Sequence, residues 1–335
     1  MASDIGVLGA GGWGTALAKL LAEKGERVTL WCHGVDSYRA IADKRENSVY
    51  LPGIALPPGI KATPSLDETV AGKSVVICAL PSHVVRGVIC AVASGIAAET
   101  IVLCGTKGLE QGSLKTMGEL LADLLGVERS DRLAYLSGPT FAVEIARQLP
   151  AAVTVAAHDD RVAGSIQQIL RTRYLRVYTS RDVIGVQIGG VVKNVIAIAA
   201  GISDGLSLGQ NARAALITRG LAEMTRLAVR MGADPLTLAG LPGLGDLVLT
   251  CAGDLSRNRV VGLQIAAGKS LQEITDATRT IAEGVRNTRS LHELAKRLDV
   301  EMPIVEQMYE VLYGGKKPAE AVQNLMDRSL KAEAG

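Results

Sequence analysis

A chain of 335 residues, 48% hydrophobic and 21% charged, is long enough for two domains with real cores and carries no disordered bias. A formal net charge of +2 gives no reason to expect nucleic acid as a partner, so any anion site must be local. Aromatic residues are 3%, which leaves the cores to Leu, Val, Ile and Ala.

The five cysteines (Cys32, Cys78, Cys90, Cys104, Cys251) form no C-x-x-C pair and mostly lie in apolar runs. They read as buried, reduced thiols of a cytoplasmic protein. The four histidines show no metal-ligand spacing, so no metal is expected. Asp4 and the lack of a basic stretch before the first apolar residues argue against a signal peptide. The apolar stretch from Ile184 to Ile202 contains Gln187, Lys193, Asn194 and several glycines, so it predicts a buried helix and no stable membrane insertion.

The chain opens on the apolar run Ile5–Leu8, a glycine turn and a stretch with helical spacing from Thr15 to Ala22. Gly9, Gly11 and Gly14 fit G-x-G-x-x-G, with Gly12 and Trp13 between them. In that pattern the first glycine permits the turn and the second lets backbone N–H groups approach a pyrophosphate. The third lets the helix, expected to start near Trp13, pack on the strand with its positive end at the anion. Glycine-rich turns are common, and the strand–turn–helix context is what favours a dinucleotide here.

Arg27–Trp31 reads as the second strand. It ends in Cys32-His33-Gly34, without the acid that binds ribose hydroxyls in NAD-preferring sites. Asp36 follows a little later, and Arg39, Lys44 and Arg45 lie downstream, so the stretch leans towards NADP(H), or use of both NADP(H) and NAD(H). His33 is either a contact near the adenine or a plain loop residue. Residues 47–60 form a Pro- and Gly-rich loop, 61–63 a short edge strand and 65–71 a helix. Two apolar runs, 74–80 and 100–104, suit strands covered on both faces, and their loops fall at the carboxyl edge where ligands bind. Lys107 lands there, either meeting a phosphate or carbonyl oxygen or pointing into solvent. Leu133–Leu136 is a further strand, followed by Gly138, Thr140 and Ala142, where a glycine and a hydroxyl suit close approach to a ligand. Residues 151–156 and 175–178 are the last strands, with a helix over 160–173. The alternation predicts a parallel, doubly wound α/β sheet.

After Tyr178 no clear strand recurs, which places a domain boundary at 179/180 and gives domains 1–179 and 180–335. The helix from Asp182 to Ser203 is nearly apolar all round and belongs at the centre of a bundle. Lys193 interrupts it. Such a lysine is costly unless paired or used, and burial would lower its pKa towards useful acid–base chemistry; otherwise its head escapes to solvent. Residues 212–230 are another helix. Leu241–Leu247 reads as a glycine-rich loop in which Asp246 either orients Lys193 or caps a helix. Ser256-Arg257-Asn258-Arg259 is either a phosphate-binding cluster, with Arg257 bidentate, or a solvated helix start. Glu283-Gly284 has no assignment by pattern, and the tail from Lys316 is a surface helix.

The stretches GAGGWGTALA at Gly9, GTKGL at Gly105, SGPTFA at Ser137, GVVKNVIAIAAGI at Gly190, GLGDL at Gly243, LSRNR at Leu255 and AEG at Ala282 occur in one order. In that order the chain resembles the bacterial-type NAD(P)-dependent glycerol-3-phosphate dehydrogenases as far as Leu330. The resemblance implies a Rossmann domain and a helical domain of the 6-phosphogluconate dehydrogenase C-terminal type, with the active site between them. It implies reversible reduction of dihydroxyacetone phosphate to sn-glycerol 3-phosphate for glycerophospholipid synthesis, and a homodimer. By this resemblance Gly12, Trp13, His33, Lys107, Ala142, Arg257, Ile281 and Glu283 contact the cofactor. Lys107, Gly138, Thr140, Lys193, Asp246, Ser256, Arg257 and Asn258 contact the substrate, and Lys193 is the proton acceptor. Two departures stand out: Gly12 replaces a serine frequent in the family, and Cys32 and Gly34 flank His33 where many members carry Arg. The competing readings are another two-domain dehydrogenase, of β-hydroxyacid or 6-phosphogluconate type, and a dinucleotide sensor without catalysis.

Overall fold

The computed structural model describes residues 2–277, 282–330 and 332–333. Its first half alternates strand and helix: β1 Asp4–Leu8, α1 Gly12–Glu23, β2 Arg27–Trp31, α2 Val35–Lys44, β3 Ile60–Thr63, α3 Leu66–Val70, β4 Val75–Cys78 and α4 Val85–Val92. It continues with β5 Ile101–Cys104, α5 Met117–Leu125, β6 Leu133–Ser137, α6 Ala142–Ala146, β7 Ala151–Ala157, α7 Asp160–Leu170 and β8 Leu175–Ser180. One sheet holds all eight strands in the order β3-β2-β1-β4-β5-β6-β7-β8. The strand order reverses at β1/β4, which opens a crevice outside their carboxyl ends.

Strands β1 to β6 pair in parallel, as the alternation predicts. The last two correct the all-parallel expectation: β7 runs antiparallel to β6, and β8 is parallel to β7. A return crossover needs a helix that retraces the strand. Helix α6 has five residues and rises only about 7.5 Å, against roughly 17 Å for the five-residue β6. The chain therefore turns straight back.

Two apolar layers cover the sheet. Leu17, Leu20 and Leu21 of α1 and Ile166 and Leu170 of α7 pack with Ile5, Leu30 and Ile77 on one face. Ile89 of α4 and Leu120 and Leu121 of α5 pack with Leu8, Val76 and Val102 on the other. The turn after β1 is as the motif requires: Gly9 has φ +111°, and a Cβ on Gly14 would lie 1.9 Å from the Gly9 carbonyl oxygen.

The second half is helical: α8 Val183–Gly205, α9 Gly209–Arg230, α10 Pro235–Ala239, α11 Asp246–Ala252, α12 Arg257–Ala266, α13 Leu271–Asp276, α14 Glu283–Leu298, α15 Pro303–Tyr313 and α16 Pro318–Met326. Helix α8 is its axis, and Val191, Val195, Ile198 and Ile202 are buried against residues of α9, α11, α12, α14 and α15. It is long and apolar enough to cross a membrane, but 89% of its apolar window is buried inside the protein. Leu109 and Leu114, from the segment after β5, also sit in this helical core, so the β5 loop is anchored across the cleft. The stretch expected as a loop at 241–247 is instead a π-helical turn over Leu241–Gly245 running into α11. Its backbone packs on α8, where a Cβ on Gly189 would stand 2.3 Å from the Pro242 carbonyl oxygen. Cys32, Cys78, Cys104 and Cys251 are buried free thiols, while Cys90 is exposed.

Candidate active site

The glycine turn offers an anion cradle. Gly11 is the N-cap of α1, there is no side-chain cap, and the first turn holds no acid. Nothing lies within 4 Å of a Cβ built on Gly11, so the space beside these amides is open. Ala142, at the start of α6, faces the turn: its Cβ is 3.7 Å from where a Gly12 Cβ would stand. The same built Cβ would be 3.0 Å from the Tyr50 carbonyl oxygen, so glycine at 12 lets the 47–55 loop close down on the turn. The Trp13 indole N–H is buried without a partner and points at Gly105, whose own built Cβ would be 2.9 Å away. Free helix-end amides and an orphan indole donor fit the phosphate-bearing cofactor that the motif predicts.

His33 lies exposed beyond β2, its ring 5.6 Å from that of Trp31. Arg45 is committed elsewhere, donating to the carbonyls of Ile60 and Pro57. Arg39 and Lys44 are exposed on α2.

The charged centre of the cleft is a trio from three elements. Asp246 begins α11 and is 1% exposed. Its Oδ1 accepts from Lys193 Nζ of α8 at 2.6 Å, and its Oδ2 from Lys107 Nζ of the β5 loop at 2.7 Å. Lys107 also donates to the Gly138 carbonyl at 3.1 Å, which the Thr140 hydroxyl meets at 3.2 Å. Lys193 is 7% exposed and donates to Thr250 Oγ1 at 3.0 Å. Of the alternatives left open by sequence, Lys193 is therefore the paired lysine; Lys107 is turned onto Asp246 and the Gly138 carbonyl rather than into solvent, and Asp246 is an ion-pair partner rather than a cap. Burial is the largest influence on Lys193 and pulls its ammonium down to about 8, with the Lys107 charge acting the same way against the opposing pull of Asp246. For Asp246, burial alone would push the carboxyl up; the two ammonium groups outweigh it and hold it below its usual range.

Ser256 caps α12, its Oγ accepting from the Arg259 N–H at 3.3 Å. Arg257 is exposed at the first position of that helix. Asn258 ties three helices: it donates to Asn194 Oδ1 at 2.8 Å and accepts from the Gly284 N–H at 2.9 Å. Arg259 leaves the expected anion cluster, because it pairs with Asp204 and Asp254. Glu283 begins α14 and accepts from the Ser82 N–H at 3.2 Å and the Ser82 hydroxyl at 2.7 Å. Burial pushes its carboxyl up, against the Ser82 donors and the nearby Arg286 and Arg257 charges. Ile281 lies outside the described residues.

Thr250 escapes the sequence reading, and Asn194 is legible there only as a polar interruption of the apolar helix, not as the partner of Asn258. Thr250 stands four residues after Asp246, on the same helical face, and is visible only once 246–252 is read as a helix.

A glycine cradle at a sheet crossover, linked through the Gly105–Lys107 loop to a buried lysine carried by a helical half, defines a two-domain dinucleotide-dependent dehydrogenase. Residues 4–163 match the family described as NAD-dependent glycerol-3-phosphate dehydrogenase N-terminus, and residues 182–323 match its C-terminus. The chain belongs to this NAD-dependent glycerol-3-phosphate dehydrogenase family. It is 54% identical over 333 residues to a glycerol-3-phosphate dehydrogenase [NAD(P)+] of Geobacter sp. (strain M21), covering 99% of each chain. A relative of the same description from Anaeromyxobacter sp. (strain K) is 54% identical over 98% of each chain. The crystal structure of glycerol-3-phosphate dehydrogenase from Coxiella burnetii superposes with a TM-score of 0.93 at 42% identity, covering 98% of this chain and 99% of that one. The protein is thus an NAD(P)-dependent oxidoreductase, and family membership sets aside both the other dehydrogenase types and the non-catalytic sensor.

Proposed function

We propose that the cleft reduces dihydroxyacetone phosphate to sn-glycerol 3-phosphate, and runs the reverse oxidation, with Lys193 moving the proton. The observation that carries this is the buried Lys193–Asp246–Lys107 trio, a set of charges with a proton held near neutrality. The bound dinucleotide supplies or accepts the hydride. Gly9, Gly11, Gly12, Trp13, Gly14 and Ala142 hold its pyrophosphate region, and His33, Lys107, Arg257 and Glu283 bound the rest of its site. Lys193 gives its proton to the carbonyl oxygen on reduction and takes it back on oxidation. Lys107 supplies positive charge where the oxygen becomes anionic, and Asp246 keeps both ammonium groups in place. Gly138 and Thr140 line the substrate side with them.

Ser256, Arg257 and Asn258 hold the substrate phosphate at the N-terminus of α12, where helix polarity favours an anion. Residues 1–179 serve as the dinucleotide domain and 180–335 as the substrate domain. Two copies per assembly, a cytoplasmic location and supply of glycerophospholipid synthesis rest on the family resemblance.

The reading is tested by following NADPH or NADH oxidation with dihydroxyacetone phosphate and with its unphosphorylated analogue. Turnover confined to the phosphorylated ketone is the expected result; equal turnover of both contradicts the phosphate assignment. An Arg257→Ala variant should raise KM for dihydroxyacetone phosphate about 10- to 100-fold, the loss of a charged hydrogen-bonded contact. A loss confined to cofactor binding would remove Arg257 from the substrate.

A further inference from the structure

Helix α14 meets the sheet edge through one face. Glu283 and Asn287 stand four residues apart on it, one turn along. Glu283 grips Ser82 in the loop after β4 through both the N–H and the hydroxyl. Asn287 is 1% exposed, and its Nδ2 donates to the Lys107 carbonyl at 3.3 Å in the loop after β5. Gly108 lies between these two grips. A Cβ there would be 2.4 Å from Ser82 Cβ and 3.2 Å from Asn287 Oδ1, so the three chains close on a peptide that has no room for a side chain. The Lys107 backbone is held by α14, while its ammonium reaches across to Asp246 on α11.

We propose that Asn287 and Ser82 are positioning residues of the reaction: with Glu283 they clamp the Lys107–Gly108 peptide on α14 and so set where the Lys107 ammonium stands against Asp246 and Lys193. The inference rests on the reading that Lys193 carries the proton. A lysine has a flexible four-carbon stem, so a fixed backbone is what makes its charge land on one carboxylate oxygen. Neither clamp residue touches the two ammonium groups or the Asp246 carboxylate; each acts through the Lys107–Gly108 backbone.

The displacement has a signature that packing alone does not produce. Among the described residues, the charged and titratable groups facing Lys193 are Asp246 and Lys107, with the Cys251 thiol behind them on α11. Lys107 opposes the Lys193 charge and shares its carboxylate. When Lys107 withdraws, Asp246 belongs to Lys193 alone, and Lys193 holds its proton more tightly.

The test uses the full-length enzyme and compares the wild type with Asn287→Ala, the similar-sized uncharged Asn287→Leu, Ser82→Ala and Gly108→Ala, the last forcing the clamp from the opposite side. In the oxidation of sn-glycerol 3-phosphate, which needs neutral Lys193, the rate of the wild type should climb with pH through about 8. Each Asn287 variant should lose about tenfold in kcat with KM for sn-glycerol 3-phosphate within about twofold. The ascending limb should move to higher pH by about half a unit or more. The same upward movement is read without cofactor, as the titration midpoint of the Lys193 Nζ resonance in the ligand-free protein, assigned with Lys193→Arg. Asn287→Leu and Ser82→Ala carry the test should the alanine or Gly108 variant fail to fold. Variants with a lowered unfolding midpoint but an unmoved limb and Nζ titration would overturn the clamp and leave Asn287 a packing residue. A wild-type limb absent near 8, or a fully active Lys193→Ala enzyme, would instead remove the Lys193 reading and this inference with it.

Discussion

In a Lys193→Ala enzyme, kcat for reduction of dihydroxyacetone phosphate falls by about 10²- to 10⁴-fold, the usual worth of a positioned acid. Cofactor affinity, measured by the quenching or transfer of NADPH fluorescence, stays within about twofold. The split follows from the geometry. Lys193 lies in the helical half, bound to Asp246 and Thr250, while the glycine turn is built from β1 and α1. Removing the ammonium leaves Asp246 paired with Lys107, so the carboxylate is not stranded and the fold survives. An equal loss of NADPH binding would show that Lys193 holds the cofactor instead of serving the carbonyl.

An Asp246→Asn substitution should have the largest effect on stability. It leaves two ammonium groups against one another at a site where the carboxylate is 1% exposed. Breaking a buried ion pair from one side costs about 3–5 kcal/mol. The unfolding midpoint should fall accordingly at neutral pH. Without the carboxylate the Lys193 proton is released well below about 8, so the variant lacks a proton donor at pH 7 and loses reduction more than oxidation. The sign of the pH dependence also follows. Folded Lys193 titrates below its ordinary value of 10.5, so between the two values the unfolded chain binds more protons and stability contributed by this group rises with pH. In Asp246→Asn that rise begins at lower pH. Asp246 acts with the same sign at lower pH: its depressed carboxyl contributes stability that is lost as pH falls through its folded-state value, and the variant has no such acid loss. A thermal unfolding series across pH checks both; a variant as stable as the wild type at pH 7 would mean the lysines have other counter-charges.

Much of this was legible in residue order because each signal is local. A glycine turn between an apolar run and a helical repeat, and a lysine in an otherwise apolar helix, report their own surroundings. The loops carrying Lys107 and Gly138 follow strands, and strand ends in such a sheet share one edge. The sense of β7 was not legible, because its residues are as apolar as those of a parallel strand and only the shortness of α6 turns the chain back. Nor was the helical nature of 241–247, where Pro and Gly advertise a loop and tertiary packing on α8 decides otherwise. Arg259 illustrates a third gap. Its donors suit a phosphate, but the distant Asp204 and the nearby Asp254 claim them in the fold.

The reversal of β7 and β8 also governs how the proton carrier arrives. Because β8 runs against β1 to β6, the chain leaves it below the ligand-binding rim, and the long helix that follows climbs towards that rim instead of departing from it. Lys193 comes ten residues after Val183, about 15 Å up the axis. Reach and azimuth are then both set by a count: one residue added between those two would lift the amine about 1.5 Å and swing it about 100° off Asp246. This stretch of backbone behaves as a measured rod, and its length tolerates substitution far better than insertion.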